Sequence, residues 1–221
     1  MVLKQNLIIG VAILVLAVNA FGQDSEKPST QYAGRSKHNI QLNVGLLFDT
    51  EVDNEVMGGV SNRVSNDGFI GSISYWYWSK QELAVGLAVA VLGSEVSNAV
   101  IASEVFNETA SVIPVLLGFK YQPRGMALSD DFRGYFSAAI GPCFGFGTSN
   151  RAGSVVRNET FSETALATHF ALGVDLSISK LITLGFGAGY YLMTDFDRRV
   201  GSRENYSSPE LTIFFGFNWG R

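Results

Sequence analysis

The chain has 221 residues, of which 47% are hydrophobic and only 16% charged, with a mean hydropathy of +0.18. That composition supplies apolar material for a large core or a lipid-facing surface and excludes a highly charged disordered chain. A net charge of −4 offers no basic face for nucleic acid, and the single cysteine, Cys143, excludes an intrachain disulfide framework and a cysteine-rich metal site.

Residues 1–22 read as a signal peptide. Lys4 supplies a positive n-region, Leu7 to Val18 is an unbroken apolar run, and small residues follow, placing the cleavage site between Ala20 and Gly22. Twelve apolar residues are too few for a membrane-spanning helix, which needs roughly 20. Cleavage removes Lys4 and no acid, leaving 15 basic against 20 acidic residues. No cysteine directly follows the apolar run, so a lipoprotein anchor is not expected. Residues 23–37, polar and containing Pro28, read as a disordered periplasmic leader. Leu83 to Gly93, the longest later apolar run, is too short for a spanning helix. Membrane insertion after export would therefore require a closed barrel, the other structure that satisfies its backbone in lipid.

From His38 onward the hydrophobicity has period two, the pattern of strands with unlike faces. The first predicted strand is His38 to Asp49, with Ile40, Leu42, Val44, Leu46 and Phe48 on one face and Asn39, Gln41, Asn43 and Gly45 on the other. Three more lie near Phe69 to Trp78, Leu83 to Leu92 and Ala110 to Gln122; Trp76, Trp78, Leu92, Val112 and Leu116 blur their faces. Next, Phe136, Ala138, Ile140, Phe144 and Phe146 oppose Ser137, Ala139, Gly141, Cys143 and Gly145. Leu166 to Ile178 and Ile182 to Leu192 repeat the theme, and Pro209 to Trp219 closes it with Leu211, Ile213, Phe215, Phe217 and Trp219 on one side.

One face is bulky and apolar, the other small or polar. The interior of an eight-stranded barrel is only just wide enough for side chains, so the small face belongs inside and the bulky face against lipid. Connections alternate in length. Ser79 to Glu82, Pro123 to Asp131 and Ser179-Lys180 are short to medium; Thr50 to Asp67, Gly93 to Thr109, Gly147 to Ser162 and Asp195 to Ser208 are long polar loops. Short periplasmic turns and four long outer loops fit a bacterial outer-membrane barrel with both termini in the periplasm. Aromatic residues cluster to match. Tyr75, Trp76, Tyr77, Trp78, Phe119, Tyr121, Tyr135, Phe136, Phe217 and Trp219 are expected at the periplasmic rim, where the girdle is Tyr75, Tyr77, Phe119, Tyr121, Phe217 and Trp219. Phe48, Phe69, Phe144, Phe146, Tyr190 and Tyr191 are expected nearer the outer rim. The expected fold is an all-β, eight-stranded antiparallel up-and-down transmembrane β-barrel over residues 38–221.

Three segments carry a family likeness: Ile113-Pro-Val-Leu-Leu-Gly-Phe-Lys-Tyr121, Ala139-Ala-Ile-Gly-Pro142 and Ala171-Leu-Gly-Val-Asp175. With these the chain resembles the OmpA-, OmpX- and OmpW-like small outer-membrane β-barrels from about His38 to Trp219. The alternating Phe215, Phe217 and Trp219 look like the terminal signal read by the barrel-assembly machinery. The resemblance implies an outer-membrane location in a Gram-negative-type bacterium, with membrane lipid and that machinery as partners.

Chemistry-bearing clusters are few. His169 and Asp175 share a predicted inward face but stand six residues apart, roughly 20 Å by strand rise. His169 therefore reads as a lumen histidine rather than a catalytic base. Gly185, Gly187 and Gly189 sit inside a strand and mark close packing, not a phosphate loop. Alternation sends Lys120, Arg133, Asp175 and Glu210 inward with His169, and an ion-pair network plugging the lumen is expected. Asp49, Glu51, Asp53 and Glu55 read as a solvated acidic loop. No enzyme activity, cofactor or metal is expected. The leading function is a non-enzymatic envelope protein displaying outer loops for structural or interaction roles. A conduit for small or hydrophobic solutes, as in OmpW-like barrels, and a soluble lipocalin-like binding barrel are the alternatives.

Overall fold

The computed structural model describes residues 36–48, 61–65, 68–101, 104–127, 129, 131–152, 157–201 and 203–220. The predicted signal peptide, the leader as far as Arg35 and the acidic loop from Asp49 to Glu55 lie outside these residues. Residues from Gly34 to Arg221 form one compact unit.

Nine strands follow one another: β1 (His38–Leu47), β2 (Ser61–Ser65), β3 (Ile70–Trp78), β4 (Leu83–Ile101), β5 (Glu104–Tyr121), β6 (Phe132–Ala152), β7 (Arg157–Ser177), β8 (Ile182–Met193) and β9 (Ser208–Trp219). All pairings are antiparallel. The order β4-β3-β1-β9-β8-β7-β6-β5 closes on itself through β4–β5, and β2 is an added edge strand on β4. Eight strands thus make the barrel.

The register fixes its shape. Cross-strand partners run from Tyr135 through Gly173, Gly187, Thr212, Gly45, Ile70, Leu92 and Val112 back to β6 at Gly145. One circuit therefore displaces the chain from position 135 to position 145, ten residues along the strand. Such a stagger tilts the strands steeply to the axis and sets an interior that side chains can fill.

Alternation holds on every wall strand. Leu42, Ile73, Leu87, Leu117, Phe146, Leu172, Phe186 and Ile213 face outward and are exposed, one from each barrel strand. Asn39, Gln41, Ser74, Lys120, Ser137, Asp175, Thr183, Glu210 and Thr212 are buried inside. The five residues with unclear faces, Trp76, Trp78, Leu92, Val112 and Leu116, all point inward and are buried. Glycines make room for the larger rings. A Cβ built at Gly86 would lie 2.5 Å from Trp76, one at Gly185 2.0 Å from Phe214, and one at Gly173 2.6 Å from Tyr135.

Two of the expected long loops are mostly strand. β4 runs on to Ile101 and β5 starts at Glu104, while β6 reaches Ala152 and β7 starts at Arg157, with β5 and β6 paired as far as Val105 and Ala152. Beyond the apolar band a strand needs backbone partners but no apolar face, so polar composition disguised these extensions. A register shift between Leu92 and Ser94 marks where β4 leaves the wall. Pro114 and Pro142, which cannot donate to a ladder, flank the stretch where β5–β6 pairing skips Val115 and Leu116.

Candidate functional site

The lumen holds the side chains with chemistry, in two layers. The end bearing the short turns, the start of β1 and the end of β9 is polar. There Lys120 on β5 projects inward, and its Nζ donates to Asp175 Oδ1 at 2.9 Å and lies 2.8 Å from Oδ2. Gln122 Nε2 also donates to Asp175 Oδ2. The ammonium sits over the rings of Tyr135 and Phe214, 3.9 and 4.9 Å from their centroids. Lys120 is 2% exposed, among the largest fully buried side chains of the described residues. Arg133 lies cross-strand from Asp175 and is half-buried. In the same half, Trp76 Nε1 donates to Gln41 Oε1 at 3.2 Å and Ser74 Oγ at 3.1 Å. Asn39 Nδ2 donates to Asn218 Oδ1, and Asn218 Nδ2 to Thr183 Oγ1, at 2.7 and 2.8 Å.

Glu210 and His169 form a separate pair nearer mid-barrel, with His169 Nε2 2.8 Å from Glu210 Oε1. The contact passes over Gly189, where a Cβ would come within 2.9 Å of both side chains. His169 stacks on Tyr191 with centroids 4.3 Å apart. Glu210 Oε2 is buried without a hydrogen-bond partner among the described residues. The five lumen residues expected from alternation therefore stand at two levels: Lys120, Asp175 and the cross-strand Arg133 at one, His169 and Glu210 at the other.

The end carrying the long connections is apolar inside. Ile70, Leu92, Val112, Leu116, Cys143, Ala165, Ala167 and Met193 form one buried cluster, and Phe196, Val200 and Tyr206 from the β8–β9 connection complete it. That connection, expected as a polar outer loop, folds back into the mouth. A Cβ at Gly145 would lie 2.6 Å from Val200 and 3.1 Å from Phe196. The inward insertion has no period-two signal, because among its described residues the connection takes up no strand register with the wall.

On the outside, Tyr75 and Tyr77 are exposed and gather with Trp219 and Phe217 around His38. His38 Nδ1 lies 2.7 Å from Tyr75 Oη. Phe119 packs against Phe136 at 5.8 Å, and Tyr121, next on that face, is half-buried. Trp76, Trp78 and Tyr135, also expected at this rim, turn into the lumen instead, as does Tyr191 at the other rim. Each of the four occupies the inward phase of its strand. Among the described residues, no group of three or more His, Cys, Asp or Glu is placed to hold a metal ion.

No family model matches the chain, and no curated protein matches it in sequence. In structure it is similar to neisserial surface protein A, with 14% identity and a TM-score of 0.46 over 84% of this chain and 99% of that one. It is also similar to Ail, the attachment invasion locus protein of Yersinia pestis, with 11% identity and a TM-score of 0.45 over 83% and 98%. For the N-terminal β-barrel domain of Pseudomonas aeruginosa OprF the values are 10% and 0.39, over 83% and 98%. At these identities the likeness concerns the fold alone, and the closed eight-stranded barrel rests on this chain's own strand register.

Proposed function

We propose that this chain is a non-enzymatic outer-membrane protein: a rigid, lipid-embedded barrel with a filled lumen that holds β-hairpins clear of the membrane for structural or interaction roles. The observation that carries this reading is the outward band, in which all eight wall strands present large apolar side chains. Around the whole circumference such a surface would drive aggregation in water. In a bilayer the same band is solvated, and closure leaves no wall strand with an unpaired edge.

The faces are the reverse of what a soluble lipocalin-like barrel requires, since its bulky face lines the inside. The filled interior supports the interaction role over a solute conduit: Lys120, Leu116, Leu92 and Val112 are each no more than 2% exposed. In this reading the termini and short turns face the periplasm, and the exposed aromatic cluster around His38 lies at headgroup level. The stripe of Phe215, Phe217 and Trp219 is what the assembly machinery would engage.

The test is gel mobility of the membrane-extracted protein, boiled against unboiled. A heat-dependent shift of a species found in the outer-membrane fraction is the expected result. A soluble periplasmic species with no shift would refute the membrane reading.

A further inference from the structure

The β8–β9 connection is an amphipathic hairpin. Phe196 N donates to Glu204 O at 2.7 Å and Val200 N to Arg203 O at 2.9 Å, with Gly201 at φ 64 in the turn. Its inner side carries Phe196, Val200 and Tyr206, all buried, while Asp197, Arg198, Arg199 and Glu204 are exposed. Phe196 and Tyr206 meet edge to face at 6.3 Å, and Tyr206 Oη donates to Val200 O, so the inner side is a preassembled unit. Its base is anchored. Thr194 N donates to Leu166 O at 2.9 Å, Asn205 Nδ2 to Met193 O at 3.0 Å, and Met193 N to Ser207 Oγ at 2.8 Å.

Its far side meets a surface cluster on β7. Arg198 Nη1 donates to Glu159 Oε1 at 3.0 Å, and the guanidinium lies 4.1 Å over the Phe161 ring. Arg198 and Glu159 are both largely exposed, the setting in which an ion pair contributes little. Among the described residues, the wall ladders end at Met193 on β8 and begin again at Ser208 on β9.

We propose that this hairpin is a hinged lid. It pivots at Thr194 and Asn205, is latched by Glu159, Phe161 and Arg198, and opens as a unit to uncover the apolar half of the lumen. Seating is apolar insertion over Gly145, which lies one inward position closer to the mouth than Cys143. The thiol of Cys143, fully buried beneath the lid, reports opening.

The experiment follows the reaction of N-ethylmaleimide with Cys143 in the full chain folded in detergent micelles, with the emission of the buried Trp76 and Trp78 checking that each variant is folded. The wild type should react much more slowly than the denatured chain. Phe196→Ser should raise the rate about tenfold or more, and Arg198→Glu, which sets like charges together at the latch, about two- to fivefold. Arg198 is exposed, so that variant carries the test if Phe196→Ser fails to fold. Folded variants that label no faster than the wild type, or a wild type that labels as fast as the denatured chain, overturn the lid.

Discussion

Replacing Asp175 with Asn probes the polar half of the lumen at its centre. The change keeps volume and the capacity to bond Gln122, and removes only the charge that faces Lys120 Nζ at 2.8 to 2.9 Å. Breaking a buried pair by removing one partner costs about 3–5 kcal/mol, because the remaining charge keeps its desolvation penalty. Lys120→Met should cost a similar amount: it strands the carboxylate and removes the contacts with the Tyr135 and Phe214 rings, worth about 2 kcal/mol when desolvated. With both changes neither member of the pair leaves the other's charge stranded, and the double variant should lose less than either single variant, about 1–2 kcal/mol, chiefly the lost cation–ring contact. The assay is urea unfolding in micelles, read as the fraction with folded gel mobility and by tryptophan emission, which Trp76 makes sensitive to this half of the barrel. The coupling from the double-mutant cycle should exceed about 2 kcal/mol. An Asp175→Asn change within about 0.5 kcal/mol of wild type, or a double variant equal to the sum of the singles, would refute the idea that this pair is a desolvated structural element.

Leu172→Arg places a charge on the outward band, where Leu172 is 60% exposed. In lipid vesicles it should cost about 2–4 kcal/mol if the residue lies near the bilayer midplane, and a neutral result would argue against lipid contact. Gly185→Ala should destabilise by about 1–3 kcal/mol or abolish folding, since its Cβ would lie 2.0 Å from Phe214 and 2.6 Å from Val174 O. Gly125→Ala, with nothing within 4 Å, should stay within about 0.5 kcal/mol in the same urea series. In planar bilayers, deletion of the lid hairpin alone should leave conductance at baseline, because the Lys120 layer still fills the other half. A steady open channel from that deletion would refute the filled lumen.

The wall can be read from the sequence because its two faces differ sharply in composition. Ile40 to Phe48 and Leu211 to Phe217 carry the outward apolar band, so every second residue there is apolar. Where that band ends the signal ends with it, which is why Glu95 to Ile101 and Glu104 to Thr109 read as loop although they pair residue by residue. Within the lumen, alternation gives the inward phase but neither height nor partner. Lys120 and Asp175 required the β5–β6 and β6–β7 registers to be brought to one level. His169 and Glu210 required the β7–β8 and β8–β9 registers, which set Tyr191 beside His169 and Gly189 beside Glu210. Trp76 looked ambiguous because its space belongs to a different strand, at Gly86. The inserted Phe196 and Val200 left no pattern at all, since their cue is a glycine about fifty residues earlier.

The two halves of the lumen are closed by different physics, and that difference decides what the barrel can become. The polar layer is built from wall residues: Lys120, Asp175, Gln122 and Trp76 project from strands whose positions the ladder fixes, so clearing it means breaking a buried ion pair without opening the wall. The apolar layer is completed by a segment outside the ladder, seated by Phe196, Val200 and Tyr206 and latched at the surface. Local opening free energies in a folded protein run from near zero for loosely held segments to the global value for its core. The lid stands toward the first limit and the Lys120 layer toward the second. Lid motion therefore turns one half of the barrel into an open cup while the other half remains a seal. A conduit would require a second, costlier rearrangement that nothing in the first one drives.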